Sequence, residues 1–164
     1  MSKTDLSPTL SHLDENGQAR MVDVSAKTST DRSAVAEGRV HLSAHAWTLL
    51  SAQTNAKGEV LNTARIAGIL AAKRCADLIP LCHSLPLSFV GVDFTTDESS
   101  HTLTIRATAR THHQTGVEME AMTACSVAAL TVYDMCKAAD KGIVIEQVRL
   151  RSKTGGKSGD WHND

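Results

Sequence analysis

The helical segment over residues 117–139 constrains the fold most, because its middle carries no charge. No Asp, Glu, Lys or Arg occurs from Ala121 to Val132. A helix that is uncharged over this length is buried on most sides. The pattern therefore predicts a largely buried helix, which Asp140-Lys141-Gly142 ends with a glycine at the C-terminal stop.

Periodicity elsewhere predicts four strands and two more helices. Residues 102–110 alternate strictly, with Leu103, Ile105, Ala107 and Ala109 on one face, and form a hairpin with residues 87–95. The other predicted elements are a strand over 39–42, a helix from N-cap Ser43 through Leu50, a helix over 60–72 and a strand over 143–151. Two prolines, Pro80 and Pro86, exclude a helix between them.

This order predicts an α+β fold close to the ferredoxin-like β-α-β-β-α-β arrangement, an antiparallel sheet with its helices packed on one face. One domain fits residues 1–164, with an extended N-terminal arm over 1–38, a core over 39–151 and a Gly/Lys-rich tail over 152–164. Aromatic residues make up only 3% of the chain, so the core is built from small aliphatic residues. A thin core with one uncovered sheet face predicts an oligomer.

Charge and cysteine content exclude several classes of protein. The chain carries 17 Lys plus Arg and 18 Asp plus Glu, a formal charge of −1, whereas nucleic-acid binders usually have a cationic excess. No apolar run approaches a bilayer span, and residues 1–20 show no secretory signal. The four cysteines form no C-x-x-C pair, so we expect reduced thiols in a cytoplasmic protein and no zinc site.

The tail resembles a phosphate-binding loop without meeting its full pattern. Gly156-Lys157-Ser158 matches the end of a Walker A motif, but Arg151 occupies the place of the first glycine and no helix can follow. Arg149, Arg151, Lys153 and Lys157 form an acid-free cationic stretch. This stretch is either a phosphate cradle or a solvated basic tail.

Two further motifs have both a functional and a structural interpretation. Cys82-His83 between the prolines offers a proton carrier or a thiol nucleophile, although a structural histidine is the simpler explanation. Glu118 and Glu120 open the buried helix, where carboxylates favour the helix dipole or could recognise the donor edge of a guanine ring.

Asp134 and Lys137 share one face near the end of that helix. An exposed surface pair is the usual explanation for this spacing. A pair beside an uncharged stretch could instead line a cleft where pKa values shift.

Seven strings in order resemble the MoaC family of molybdenum-cofactor biosynthesis proteins over about residues 12–161. They are Met21-Val22-Asp23-Val24-Ser25, Thr63-Ala64-Arg65-Ile66-Ala67-Gly68, Ala72-Lys73-Arg74, Leu78-Ile79-Pro80-Leu81-Cys82-His83, Thr115-Gly116-Val117-Glu118-Met119-Glu120-Ala121, Tyr133-Asp134-Met135-Cys136-Lys137 and Gly155-Gly156-Lys157-Ser158-Gly159. The resemblance implies a cytoplasmic pyrophosphate-releasing lyase that converts 3′,8-cyclo-7,8-dihydro-GTP to cyclic pyranopterin monophosphate. It also implies a homohexamer, a trimer of dimers with its sites at subunit interfaces, and no required redox cofactor. No residue is assigned as a metal ligand, and the sequence does not say whether a divalent ion accompanies the triphosphate.

The resemblance assigns roles to individual residues. Asp134, Lys137 and Lys57 are implied to be catalytic. Substrate binding is implied for Leu81, Cys82, His83, Met119, Glu120, Glu118, Lys73 and Lys153. The arm around Asp23 and Arg32 is expected to close the site. The sequence departs from the pattern at Ser84 and Thr154, and neither position removes a group that the chemistry requires. A non-catalytic module that binds a phosphorylated metabolite is the alternative.

Overall fold

A computed structural model describes residues 13–14 and 16–163. Residues 1–12 and Glu15 of the predicted arm, and Asp164 of the predicted tail, lie outside this range. The elements in chain order are β1 (Thr30–His41), α1 (Ala44–Ser51), α2 (Val60–Lys73), α3 (Cys75–Leu78), β2 (Phe89–Asp97), β3 (Thr102–His113), α4 (Glu118–Cys136), β4 (Val144–Thr154) and β5 (Trp161–His162).

The fold is α+β, built on one antiparallel sheet of five strands in the order β2-β3-β1-β4-β5. The hairpin of β2 and β3 is confirmed, as are the helices predicted from Ser43, over 60–72 and over 117–139. Ser43 caps α1 by accepting a hydrogen bond from the Ala46 N–H at 3.4 Å. Among the described residues, no helix combines the length and apolarity needed to cross a bilayer.

The first strand is longer than predicted, because small residues hide its alternation. It begins at Thr30 rather than at residue 39, and Ala34, Ala36 and Gly38 supply its buried positions. Alanine and glycine give a weak hydrophobic signal, so the alternation does not distinguish this part of the strand from the predicted arm. The last long strand likewise continues to Thr154, and the tail returns along it as β5.

The core lies between the sheet and the two long helices. Its strand residues are small or branched, and α4 meets them with alanines and Cys125, so the core contains few bulky side chains. The opposite sheet face is polar, with Glu37 lying 3.8 Å from Arg106 and 3.7 Å from Arg149. This arrangement confirms a thin core with one sheet face left open by the helices.

Gly68 sets the distance between α2 and α4. A Cβ at this position would lie 2.8 Å from the backbone oxygen of Ala124 and 3.3 Å from the Cβ of Ala128. Backbone on α4 cannot move aside without shifting the helix. Only glycine therefore fits at this crossing.

Gly68→Ala is expected to lower the free energy of unfolding by about 2 kcal/mol, because the added methyl group overpacks the helix pair. Urea denaturation followed by circular dichroism measures this loss. The control is Thr63→Ala on the exposed side of the same helix, for which we expect a change within about 0.5 kcal/mol. Equal stability of Gly68→Ala and wild type would show that the helices separate without cost.

Candidate functional site

A lysine–aspartate cluster lies where the end of α4 meets the loop before α2. The loop is held by Asn55, whose side-chain oxygen accepts the Lys57 N–H at 3.0 Å and whose amide nitrogen contacts Cys136 Sγ at 3.6 Å. This turn places the Lys57 side chain against the last turn of α4. Residues that are far apart in the sequence are thereby brought together.

Asp134 binds both lysines of this cluster. Its Oδ1 lies 2.7 Å from Lys137 Nζ, and its Oδ2 lies 2.7 Å from Lys57 Nζ, which also donates to the Asp134 carbonyl oxygen at 2.8 Å. Hydrogen bonds from Lys137 and then Lys57 lower the pKa of Asp134 to about 2, and the same pairing raises the pKa of Lys137. Asp134 is therefore ionised at neutral pH and holds two ammonium groups side by side.

A second group of predicted residues lines a cavity of about 620 Å³ at the other end of α4. The proline-flanked loop contributes Leu81, Cys82 and His83, and the first turn of α4 contributes Glu118, Met119 and Glu120. The arm closes one wall with Val22 and Val24. His83 Nε2 lies 2.8 Å from the Val22 carbonyl oxygen, which can only accept, so this nitrogen carries the proton.

A neighbouring cavity of about 890 Å³ is cationic. Lys27, Arg32, Lys153 and Lys157 line it, and Glu118 forms part of the wall of both cavities. Glu118 Oε1 pairs with Lys153 Nζ at 3.0 Å. The two cavities therefore form adjoining parts of one cleft. One part carries four cationic side chains, and the other is lined by carboxylates, His83 and apolar residues together with Lys27, which lines both parts.

Burial alters the acidity of two groups in the cleft. Glu120 is only 3% exposed, and desolvation, reinforced by nearby Glu118, raises its pKa above the usual value. Desolvation likewise raises the pKa of the Cys82 thiol, which favours the neutral thiol over the thiolate nucleophile. Glu120 is thus a buried carboxyl group that binds a proton more readily than an exposed one.

Glu120→Gln is expected to stabilise the protein at pH 8 but not near pH 4. The raised pKa means that the folded state of the wild type is favoured below the unfolded pKa and loses this advantage as pH rises through the folded pKa. The glutamine amide of the variant stays uncharged across this pH range, so the variant does not lose stability in this way as the pH rises. Thermal melts across this pH range measure the difference.

The matched control for this prediction is Glu118→Gln, which removes the partner of Lys153 and so should not stabilise. A melting temperature of Glu120→Gln that stays below wild type at pH 8 would contradict the prediction.

The structure places the predicted residues in two groups and leaves one apart. Glu118 and Asp134 lie on α4 about 24 Å apart by the rise of an α-helix, so one chain does not join the lysine–aspartate cluster to the cleft. Lys73 is exposed at the end of α2 and lines neither of the two cavities. Arg32 belongs to β1 and lines the cationic cavity.

The sequence interpretation missed Lys27, Gln114 and Thr115 as cleft residues. Lys27 is a single cation in a polar arm and gives no spacing signal. Thr115 is the first residue of the string that continues through Gly116-Val117-Glu118, and Gln114 immediately precedes it, so that proximity was the available clue. Within residues 13–14 and 16–163, no group of three or more His, Cys, Asp and Glu side chains is arranged to hold a metal ion.

The fold is α+β, and its cleft brings four cationic side chains next to carboxylates and a histidine. The chain belongs to the MoaC family, whose model matches residues 21–156. It is 71% identical over 157 residues to a cyclic pyranopterin monophosphate synthase of Bordetella pertussis, covering 96% of this chain and 98% of the relative. A protein of the same name from Chloroflexus aurantiacus is 58% identical over 152 residues, 93% of each chain.

Proposed function

We propose that this chain is a cyclic pyranopterin monophosphate synthase of molybdenum cofactor biosynthesis. As a lyase, it would convert 3′,8-cyclo-7,8-dihydro-GTP to cyclic pyranopterin monophosphate and release pyrophosphate. The relatives named above support this proposal. The observation on which it depends is the cleft in which a cationic cavity adjoins a pocket lined by Glu118 and Glu120.

The cationic cavity suits the triphosphate. Lys27, Arg32, Lys153 and Lys157 surround it, and preorganised cations stabilise charge that develops on departing pyrophosphate. Lys153 reaches this position from β4 and is already held by Glu118. At Lys153 the polyphosphate would therefore meet a cation that is fixed before it binds.

The adjoining pocket suits the purine-derived ring. Carboxylates accept hydrogen bonds from the donor edge of a guanine-type ring, and Glu118 and Glu120 both line the pocket. The N–H of His83 Nε2 donates its hydrogen bond to the Val22 carbonyl oxygen. The role of His83 in this proposal is therefore to hold the arm over the pocket. Leu81, Cys82 and Met119 supply the apolar walls.

The lysine–aspartate cluster supplies the proton transfers that the ring rearrangement requires. Asp134 is ionised, while its charge keeps the ammonium form of Lys137 favoured. Asp134 thus fixes both ammonium groups, and Lys137, which is a weaker acid while paired, would give its proton to an intermediate once the bound substrate takes the place of the carboxylate. A binding module has no need of such a cluster.

The separation of this cluster from the cleft supports a site shared between subunits. One chain would supply Lys57, Asp134 and Lys137, and a neighbouring chain would supply the cleft. Apolar side chains on the helices are available for an interface, since Ile66, Leu70 and Leu130 are 55%, 50% and 58% exposed. The strand order 2-3-1-4 of the four long strands supports the ferredoxin-like subunit, and the resemblance supports a homohexamer.

The proposed compartment is the cytoplasm. The four cysteines, Cys75, Cys82, Cys125 and Cys136, are free thiols in the described structure, as suits a reducing environment.

The function is tested by incubating purified protein with the cyclised dihydro-GTP and measuring pyrophosphate and pterin formation. We expect both products to form in equal amounts. A folded oligomer that binds the nucleotide without releasing pyrophosphate would instead be the phosphometabolite-binding module.

A further inference from the structure

Arg32 is held at the cationic cavity by backbone carbonyl groups. Its Nε donates to the His113 carbonyl at 3.3 Å, and its Nη2 donates to the Gln114 carbonyl at 3.1 Å. A guanidinium group has five N–H donors, so these two bonds orient it and leave others for a ligand. The remaining nitrogen, Nη1, points to the tail, where Gly156 lies against it.

Gly156 leaves no room for a side chain beside that guanidinium group. A Cβ at this position would lie 2.6 Å from Arg32 Cζ and would overlap Nη1. Its φ of +82° also favours glycine. The overlap involves the end of a flexible side chain, so a larger residue would displace Arg32 rather than unfold the loop.

We propose that Gly156 is a positioning residue, which fixes the Arg32 guanidinium group against the triphosphate of the substrate. The tail thereby contributes to phosphate binding in two ways. Lys157 supplies a cation, and the absence of a side chain at Gly156 leaves the room that the Arg32 guanidinium group occupies. This inference rests on the proposed function only in taking a polyphosphate as the ligand of the cationic cavity.

Gly159 offers a matched control in the same loop. It has a φ of +71°, close to that of Gly156, but a Cβ added there meets nothing within 4 Å. Gly159→Ala therefore introduces a similar backbone strain without touching Arg32. Gly155 is unsuitable as a control, because a Cβ there would overlap the backbone oxygen of Asp31.

The test measures binding of inorganic tripolyphosphate to the whole protein by calorimetry. Gly156→Ala is expected to raise Kd about tenfold, the loss of one charge-assisted contact, whereas Gly159→Ala is expected to bind like the wild type. In an Arg32→Ala background, adding Gly156→Ala should change Kd no further. With the nucleotide substrate, Gly156→Ala should raise KM more than it lowers kcat.

Several outcomes would overturn the inference. They are wild-type binding by Gly156→Ala, equal weakening by the two glycine variants, an undiminished effect of Gly156→Ala without Arg32, and absence of tripolyphosphate binding by the wild type. Thermal melts of both glycine variants show whether they fold alike. A protein that binds tripolyphosphate as expected but does not turn over the nucleotide would contradict the proposed function and leave this inference standing.

Discussion

Asp134→Asn is expected to lower kcat for pyrophosphate release by about a thousandfold, within the range that proton-transfer groups contribute. The asparagine side chain loses the negative charge that holds Lys57 and Lys137 at 2.7 Å. Two ammonium groups left side by side repel each other and lose their common orientation. Lys137→Ala is expected to have a similar effect, because it removes one of the two proton donors.

Stability should be nearly unchanged in these variants, since Asp134 is more than half exposed. Lys141→Ala, an exposed lysine just after the helix, is the control and should keep wild-type activity. Carboxyl NMR provides a second measurement: Asp134 should titrate at about pH 2 in the wild type and at higher pH in Lys137→Ala. Activity of Asp134→Asn within tenfold of the wild type would remove Asp134 from the proposed chemistry.

Two inactive variants are expected to restore activity when they assemble together. Asp134→Asn is expected to inactivate the cluster at one end of α4, and His83→Ala, which releases the arm from the cleft, is expected to inactivate the cleft at the other end. If a site combines the cluster of one chain with the cleft of another, random co-assembly of equal amounts leaves about a quarter of the sites intact. Co-expression of the two chains, followed by a pyrophosphate assay, measures this recovery.

The matched control is a chain that carries both Asp134→Asn and His83→Ala, co-expressed with the wild-type chain in equal amounts. A shared site again predicts about a quarter of full activity, whereas a site within one chain predicts about half. A site within one chain also predicts no recovery from the two single variants. Half of full activity in the control, together with no recovery from the two single variants, would contradict the proposed interface site.

Secondary structure was predictable where side chains alternate or repeat clearly. The buried face of β3 from Leu103 to Ala109 and the uncharged middle of α4 both gave such patterns. The register of β1 and β4 shifts twice, once between Glu37 and Arg39 and once between Val35 and Ala36. Each shift reverses which residues of β4 face the helices, so no period of two runs through this strand.

Candidate site residues were predictable as motifs but not as an arrangement. The spacing of Asp134 and Lys137 placed them on one helix face, which the structure confirms. Lys57 joins them only because the Asn55 turn folds back on the end of α4, and local sequence does not reveal such a long-range contact. The resemblance alone suggested this lysine. Lys27 was not predictable because a single cation in a polar arm has no spacing signal, whereas Arg32 was expected near the site as part of the arm and lies on β1.

Helix α4 acts as a rigid spacer, and this has a consequence for how the protein would behave on dilution. Lysine and aspartate side chains cannot span the length of the helix, so motion within one chain cannot bring its two ends together. On the shared-site proposal, subunits separated by dilution would be inactive even where each chain keeps its fold. Specific activity would then decrease as the protein is diluted, while the helical circular dichroism signal per chain stays constant.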